Sequence, residues 1–226
     1  MLQSYVWTTV QESSWRRKPG NYLDVYSIRA RGPNHRKFDS SAMTALQHRS
    51  RRYLTEREIE RLMDTARKHS RHGHRDATMI LVSYRHGLRA SEVCDLQWQQ
   101  IELSEGRLHV HRVKNGTPSV HPIRGDEMRA LRKLRREYPS DAYVFVSERG
   151  GPMSPIGFHR LIQRLGEIAK MPFRIHPHML RHACGYKLAN DGHDTRALQH
   201  YLGHKNIQHT VRYTELAVDR FKDFWR

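Results

Sequence analysis

From Tyr53 onward, apolar residues recur at helical spacing, and only the window 98–123 departs from it by dropping to a period of two. A helical body interrupted once in this way can build one small sheet and must bury the remaining apolar positions as helix faces. The helical pattern opens with Thr55 and Glu58, three apart, which form a capping box ahead of Ile59, Leu62, Met63 and Ala66. The spacing predicts helices over 54–69, 77–87, 126–138, 155–169, 178–190, 195–201 and 215–225, with a short one starting at Ser91. Inside the window, 98–103, 106–113 and 118–123 predict three strands, with turns at 104–106 and 114–116. The expected fold is mainly α with a small three-stranded antiparallel sheet (α+β), and residues 54–226 form one domain.

The first 53 residues have a different character, with ten Lys or Arg against three acids. Between Arg29 and Arg52 there is no sustained apolar period, and Gly32, Pro33 and several serines interrupt the chain. Residues 1–53 therefore read as a basic, flexible arm, the alternative being a solvated tail without a role. Over the whole chain, 40 Lys plus Arg face 23 Asp plus Glu, a formal net charge of +17. That charge suits a polyanionic partner without choosing between a binder and an enzyme. No stretch reaches the roughly 18–20 apolar residues of a membrane span, so no membrane partner is expected. The opening MLQSYVWTTV has no basic region before it and is not expected to be a signal peptide. Two cysteines, Cys94 and Cys184, make no disulfide framework, which points to a reducing cytoplasm, with the nucleoid as the natural place for so basic a chain.

Four places in the body gather residues able to handle an anion or a proton. In His86-Gly87-Leu88-Arg89-Ala90-Ser91-Glu92, Arg89 stands just before a helix start, where its planar fork and the helix N-terminus both favour a phosphate. Glu92 can hold a neighbouring guanidinium in place. Lys114, in the turn VKNG, is either a solvated turn lysine or a donor at a hairpin tip that reaches a leaving oxygen. In Ile175-His176-Pro177-His178-Met179-Leu180-Arg181-His182, His178 and Arg181 share a helix face. The histidines His176, His178 and His182 also admit a zinc reading, although no HExxH or CxxC accompanies them. Finally Tyr201-Leu202-Gly203-His204 precedes Tyr213, a tyrosine that becomes a nucleophile only if its oxygen faces an electrophile and its proton has an acceptor.

In this order HGLRASE, VKNG, HPHMLRH, YLGH and VRY resemble the active-site motifs of the tyrosine recombinases, the phage-integrase type of site-specific recombinase. The gaps are 25 residues from Arg89 to Lys114, 23 from Arg181 to His204 and 9 from His204 to Tyr213. The resemblance spans about residues 53–226, and the wording around HPHMLRHACGYKLANDGHDTRALQHYLGH is most similar to the small fimbrial phase-variation recombinases.

The resemblance implies roles residue by residue. Arg89 and Arg181 would clamp the scissile phosphate, Lys114 would protonate the departing 5′ oxygen, His178 would assist proton transfer at the tyrosine, and His204 would hydrogen-bond the phosphate. Tyr213 would attack phosphorus and store the bond as a 3′-phosphotyrosine, so neither metal nor ATP nor another cofactor is implied. Glu92 and His182 would support the site. Arg49, Arg51, Arg52, Lys205 and Arg212 are candidate DNA contacts. The partner would be double-stranded DNA with paired recombination sites, bound by a homo-oligomer, a tetramer in the synaptic complex, and likeness to the fimbrial members favours inversion. Larger members carry a core-binding domain ahead of the catalytic one, and the 53-residue arm is too short for it. Phe221, Phe224 and Trp225 pack either on their own domain or on a neighbour. The alternatives are a catalytically silent DNA-binding regulator of the same fold, a type IB topoisomerase-like relaxing enzyme and a zinc-binding regulator.

Overall fold

The computed structural model describes residues 51–215 apart from Arg52, Lys114, Asn115 and Ser140. All of them fall in one compact unit, Ser41–Arg226; a second unit, Met1–Ser40, lies outside the described residues, as does most of the expected arm.

Helix α1, Glu56–His69, starts where the capping box places it: the Thr55 N–H donates to Glu58 Oε2 at 2.8 Å and Thr55 Oγ1 accepts from the Glu58 N–H. Its buried stripe, Ile59, Leu62 and Ala66, lies against α2, Gly73–Arg85. Burying each large aliphatic side chain stabilises by about 1.5–3 kcal/mol. Helix α2 begins four residues before the expected 77 and is buried from Arg75 to Ser83, because α1, α4 and α6 surround it. It stops at Gly87, whose φ is +55° and where an added Cβ would fall 2.6 Å from Leu202 Cδ2. The turn carries Arg89 to the start of α3, Ala90–Cys94.

The window of strand period forms strands β1, Ile101–Glu102, β2, Arg107–Val110, and β3, Ser119–Pro122, in one antiparallel sheet of order β1-β2-β3. Ile101 pairs with Leu108, and Leu108 with His121. The first expected strand is shorter than its spacing suggests. Trp98–Gln100 is a 3₁₀ turn, closed by the Gln100 side chain, which accepts from the Gln97 N–H at 3.0 Å.

Helices α4, Gly125–Glu137, α5, Pro155–Ile168, α6, Pro177–Asn190, and α7, Thr195–Leu202, agree with the spacing to within a residue or so at each end. Helix α8, Gln208–Glu215, was not expected, and the helix expected over 215–225 lies outside the described residues, as do Phe221, Phe224 and Trp225. The main core gathers α1 to α6 and the sheet. A second cluster, Cys184, Ala189, Leu198, Leu202 and Tyr213, joins α6, α7 and α8. Tyr213 thus belongs to a small core of its own.

Candidate active site

The turn after α2 and the start of α3 are tied together by one carboxylate. Glu92 is buried and accepts from the Arg89 N–H at 2.9 Å, from Arg89 Nη1 at 2.6 Å, from Arg112 Nη1 at 2.9 Å and from the Val113 N–H at 3.3 Å. Burial disfavours its charge, but these donors and the two guanidinium charges outweigh it and hold the carboxyl below its ordinary value. Arg89 remains partly exposed beside it.

Arg181 projects from the first half of α6 and is only 1% exposed. Its guanidinium donates to the carbonyl of Gly87 and, through Nη2, to the carbonyl of Leu202 at 2.6 Å. Burial, with Arg112 and Arg89 close by, pushes it down to about 10, so it stays charged at neutral pH.

Tyr213, on α8, is 2% exposed, and its hydroxyl lies 2.8 Å from Nδ1 of His182. The ring stands edge-on to Tyr186 and stacks on His204 with centroids 6.3 Å apart. Burial pushes the phenol up to about 12, against the pull of Arg181 and Arg212. His182 is pushed down to about 4 by burial and by the neighbouring His178 and Arg212, which keeps its imidazole neutral, with a lone pair for the phenol's proton, and lowers its basicity. His178 is exposed and meets His182 edge-on, with centroids 4.4 Å apart. The residue at the tyrosine oxygen is therefore His182, one place beyond Arg181, rather than the expected His178. His204 is fixed through Nδ1 to Thr210 Oγ1 at 2.9 Å, while its backbone carbonyl accepts from Gln199 Nε2 at 3.0 Å. Burial and the charges of Arg181 and Arg89 push it down to about 3.

Beneath the Arg89 turn runs a buried polar chain. Glu127 accepts from His86 Nε2 at 2.8 Å, His86 Nδ1 faces His121 Nδ1 at 3.1 Å, and His121 Nε2 meets Ser119 Oγ at 2.8 Å. The Tyr201 ring stacks on His121 at 3.8 Å. Burial, with His86 and Arg112 nearby, pushes His121 down to about 3.

The structure thus brings Arg89, Glu92, Arg181, His178, His182, His204 and Tyr213 together. Lys114, Arg49 and Arg52 lie outside the described residues. Lys205 and Arg212 are exposed, while Arg51 is paired with Glu58 at 2.5 Å and sits over the Phe173 ring. No group of three or more His, Cys, Asp or Glu among the described residues could hold a metal ion, so the zinc reading gains no geometry. No helix among them is long and apolar enough to cross a membrane.

Sequence reasoning passed over Arg112, Gly185 and Thr210. Arg112 did leave a signal. It continues the inward register of Leu108 and Val110, so the alternation that buries those two buries an arginine as well.

The family model described as the phage integrase family matches residues 52–220. The type 1 fimbriae regulatory protein FimE of Escherichia coli K12 is 46% identical over 182 residues, 77% of this chain and 91% of that protein. FimB of the same strain is 41% identical over 183 residues, 79% of this chain and 91% of that protein. Among solved structures, XerA recombinase is 26% identical with a TM-score of 0.66 over 76% of this chain, which spans 63% of the XerA chain. A lambda integrase dimer bound to a COC′ core site, 21% identical with a TM-score of 0.59 over 77% of this chain and 49% of that one, shares the fold. The motif order, the fold and these likenesses agree, and the chain belongs to the phage integrase family.

Proposed function

We propose that this chain is a tyrosine site-specific recombinase, which cuts and rejoins DNA strands through a 3′-phosphotyrosyl intermediate and needs no metal or ATP. The observation that carries the reading is the 2.8 Å contact between the Tyr213 hydroxyl and the neutral His182, in a site that also holds the charged Arg181. A phenol held up to about 12 is a poor nucleophile until a base takes its proton.

In the forward step Tyr213 Oη attacks phosphorus as its proton passes to His182. The bond from phosphorus to the 5′ oxygen breaks, and Lys114 gives that oxygen a proton. Arg89, Arg181 and His204 face the charge that gathers on the non-bridging oxygens, where one preorganised contact is worth on the order of 3 kcal/mol, or about a hundredfold in rate. A 5′ hydroxyl from a second strand then attacks phosphorus and releases Tyr213, so the phosphoester bond is conserved. Arg181 and Tyr213 are 1% and 2% exposed, so DNA entry is coupled to displacement of what covers them.

The partner is duplex DNA carrying paired sites, synapsed by a homotetramer. Identity of 46% and 41% to two fimbriae regulatory proteins supports inversion of a segment that controls expression. The test is a cognate site nicked so that cleavage cannot reverse. The wild type accumulates a covalent protein–DNA adduct, and Tyr213→Phe binds the site without forming it. An equal yield of adduct from both proteins overturns the reading.

A further inference from the structure

We propose that Arg112 is a positioning residue that fixes the two phosphate-clamping arginines relative to each other; this rests on the clamp roles of Arg89 and Arg181 in the proposed function. The Arg112 side chain has no exposed surface. Nη1 and Nη2 each serve two acceptors and Glu92 answers the charge, so Arg112 has no free terminal donor for the phosphate. Its guanidinium instead donates to four acceptors drawn from two distant segments: Glu92 Oε2 at 2.9 Å, the carbonyls of Gly87 at 3.4 Å and His86 at 3.3 Å, and the carbonyl of Tyr201 at 2.5 Å.

Two of these acceptors are shared in a telling way. Glu92 is the carboxylate that holds Arg89, and the Gly87 carbonyl is one of the two that hold Arg181. Arg112 therefore bonds to one anchor of each clamp residue. Its third point, Tyr201, opens the segment that carries His204. The planar guanidinium keeps these directions fixed, which the point charge of a lysine does not do.

The chain also encloses the stem of this side chain. An added Cβ on Gly203 would fall 2.7 Å from Arg112 Cγ, and one on Gly116 would fall 2.6 Å from Arg112 Cβ. Backbone presses on Arg112 from both sides, so it is a strut in a built slot. A buried arginine is costly unless paired; the Arg112 Nε has no hydrogen-bond partner, and both Nη nitrogens pair with the supports of the clamp.

The experiment compares single-turnover cleavage of a cognate site carrying an ordinary phosphodiester with one carrying a methylphosphonate at the scissile position. The methyl group removes one negative charge from the transition state and with it much of the need for a clamp. Arg112→Lys and Arg181→Ala are each measured on both substrates; single-turnover rate constants do not depend on the folded fraction. Arg112→Lys is expected to lose about a hundredfold on the phosphodiester and less than about tenfold on the methylphosphonate, with unchanged DNA affinity. Should Arg112→Lys fail to fold, Gly116→Ala, which presses on the Arg112 stem and leaves its charge in place, is read in the same way. If Arg181→Ala is relieved by the methylphosphonate while the Arg112 variant is equally slow on both substrates, the positioning role is overturned and the clamp stands. If Arg181→Ala is not relieved, the clamp reading fails and takes this inference with it.

Discussion

Gly185 faces the hydroxyl-bearing end of the Tyr213 ring: a Cβ built on Gly185 would fall 2.8 Å from Cζ and Cε2 and 2.9 Å from Cε1. Helix α6 thus gives up a side chain so that the ring can lie against its backbone. Gly185→Ala forces the ring outward by several tenths of an ångström and turns its oxygen from His182. Adduct formation on a nicked site is expected to fall about tenfold or more, since a misplacement of about 1 Å costs about a hundredfold. DNA affinity, read by a shift assay on the same site, stays unchanged.

The contact between Tyr213 and His182 separates two histidines that the sequence treats alike. His182→Gln removes the proton acceptor and is expected to slow cleavage by at least about a hundredfold, with a smaller loss for His178→Gln. The pH dependence distinguishes a working base from packing. His182 is pushed down to about 4, so kcat/KM stays level from pH 8 to about 5.5 instead of falling near the usual 6.5. A limb near 6.5 that persists in His182→Gln would show that another group is the base.

Stability has its own pH signature. In the unfolded chain His121 takes up a proton near 6.5, whereas in the folded chain its imidazole stays neutral down to about 3. The unfolded state therefore binds more protons throughout that window, and stability falls as pH falls from 6.5. His121 alone accounts for a loss on the order of 1 kcal/mol for each pH unit below 6.5. His204 and His182 act with the same sign. Urea midpoints at pH 7.5 and 5.5 check this: the wild type loses stability on going to 5.5, and His121→Asn loses less.

Removing residues 1–50 takes away a strongly basic stretch of the chain. Affinity for the cognate site is expected to weaken, and the slope of its logarithm against that of salt concentration to flatten, because phosphate contacts set that slope. An unchanged slope would make the arm a bystander.

The sequence made local features plain and hid distant ones. Thr55 and Glu58 act across three residues, so α1 could be placed from spacing alone. Helix α8 has only two buried positions, Thr210 and Tyr213, and polar residues around them, so its pattern is thin. The aromatics beyond it drew the expected helix towards the end of the chain, whereas α8 is held by packing on α6 and α7. His178 and His182 lie one turn apart and only about 40° from each other round the helix, so spacing alone did not tell which of them meets the Tyr213 oxygen. Arg112 stayed hidden because three of its four acceptors are backbone carbonyls, which leave no mark on side-chain patterns.

Arg89 and Arg181 are held by unlike partners. A carboxylate orients a guanidinium and also cancels its charge, and Arg89 rests on one. A carbonyl orients without cancelling, and Arg181 is held by two. The pair is therefore electrically unequal: the charge of the rim arginine is partly offset by Glu92, which Arg112 shares, whereas the enclosed one hydrogen-bonds to carbonyls. Of the two, the one nearer the surface offers an anion the weaker attraction. Under the proposed clamp, the stronger pull would go to a phosphate that has shed its water and gone all the way in, a discrimination set by one carboxylate outside and two main-chain oxygens within.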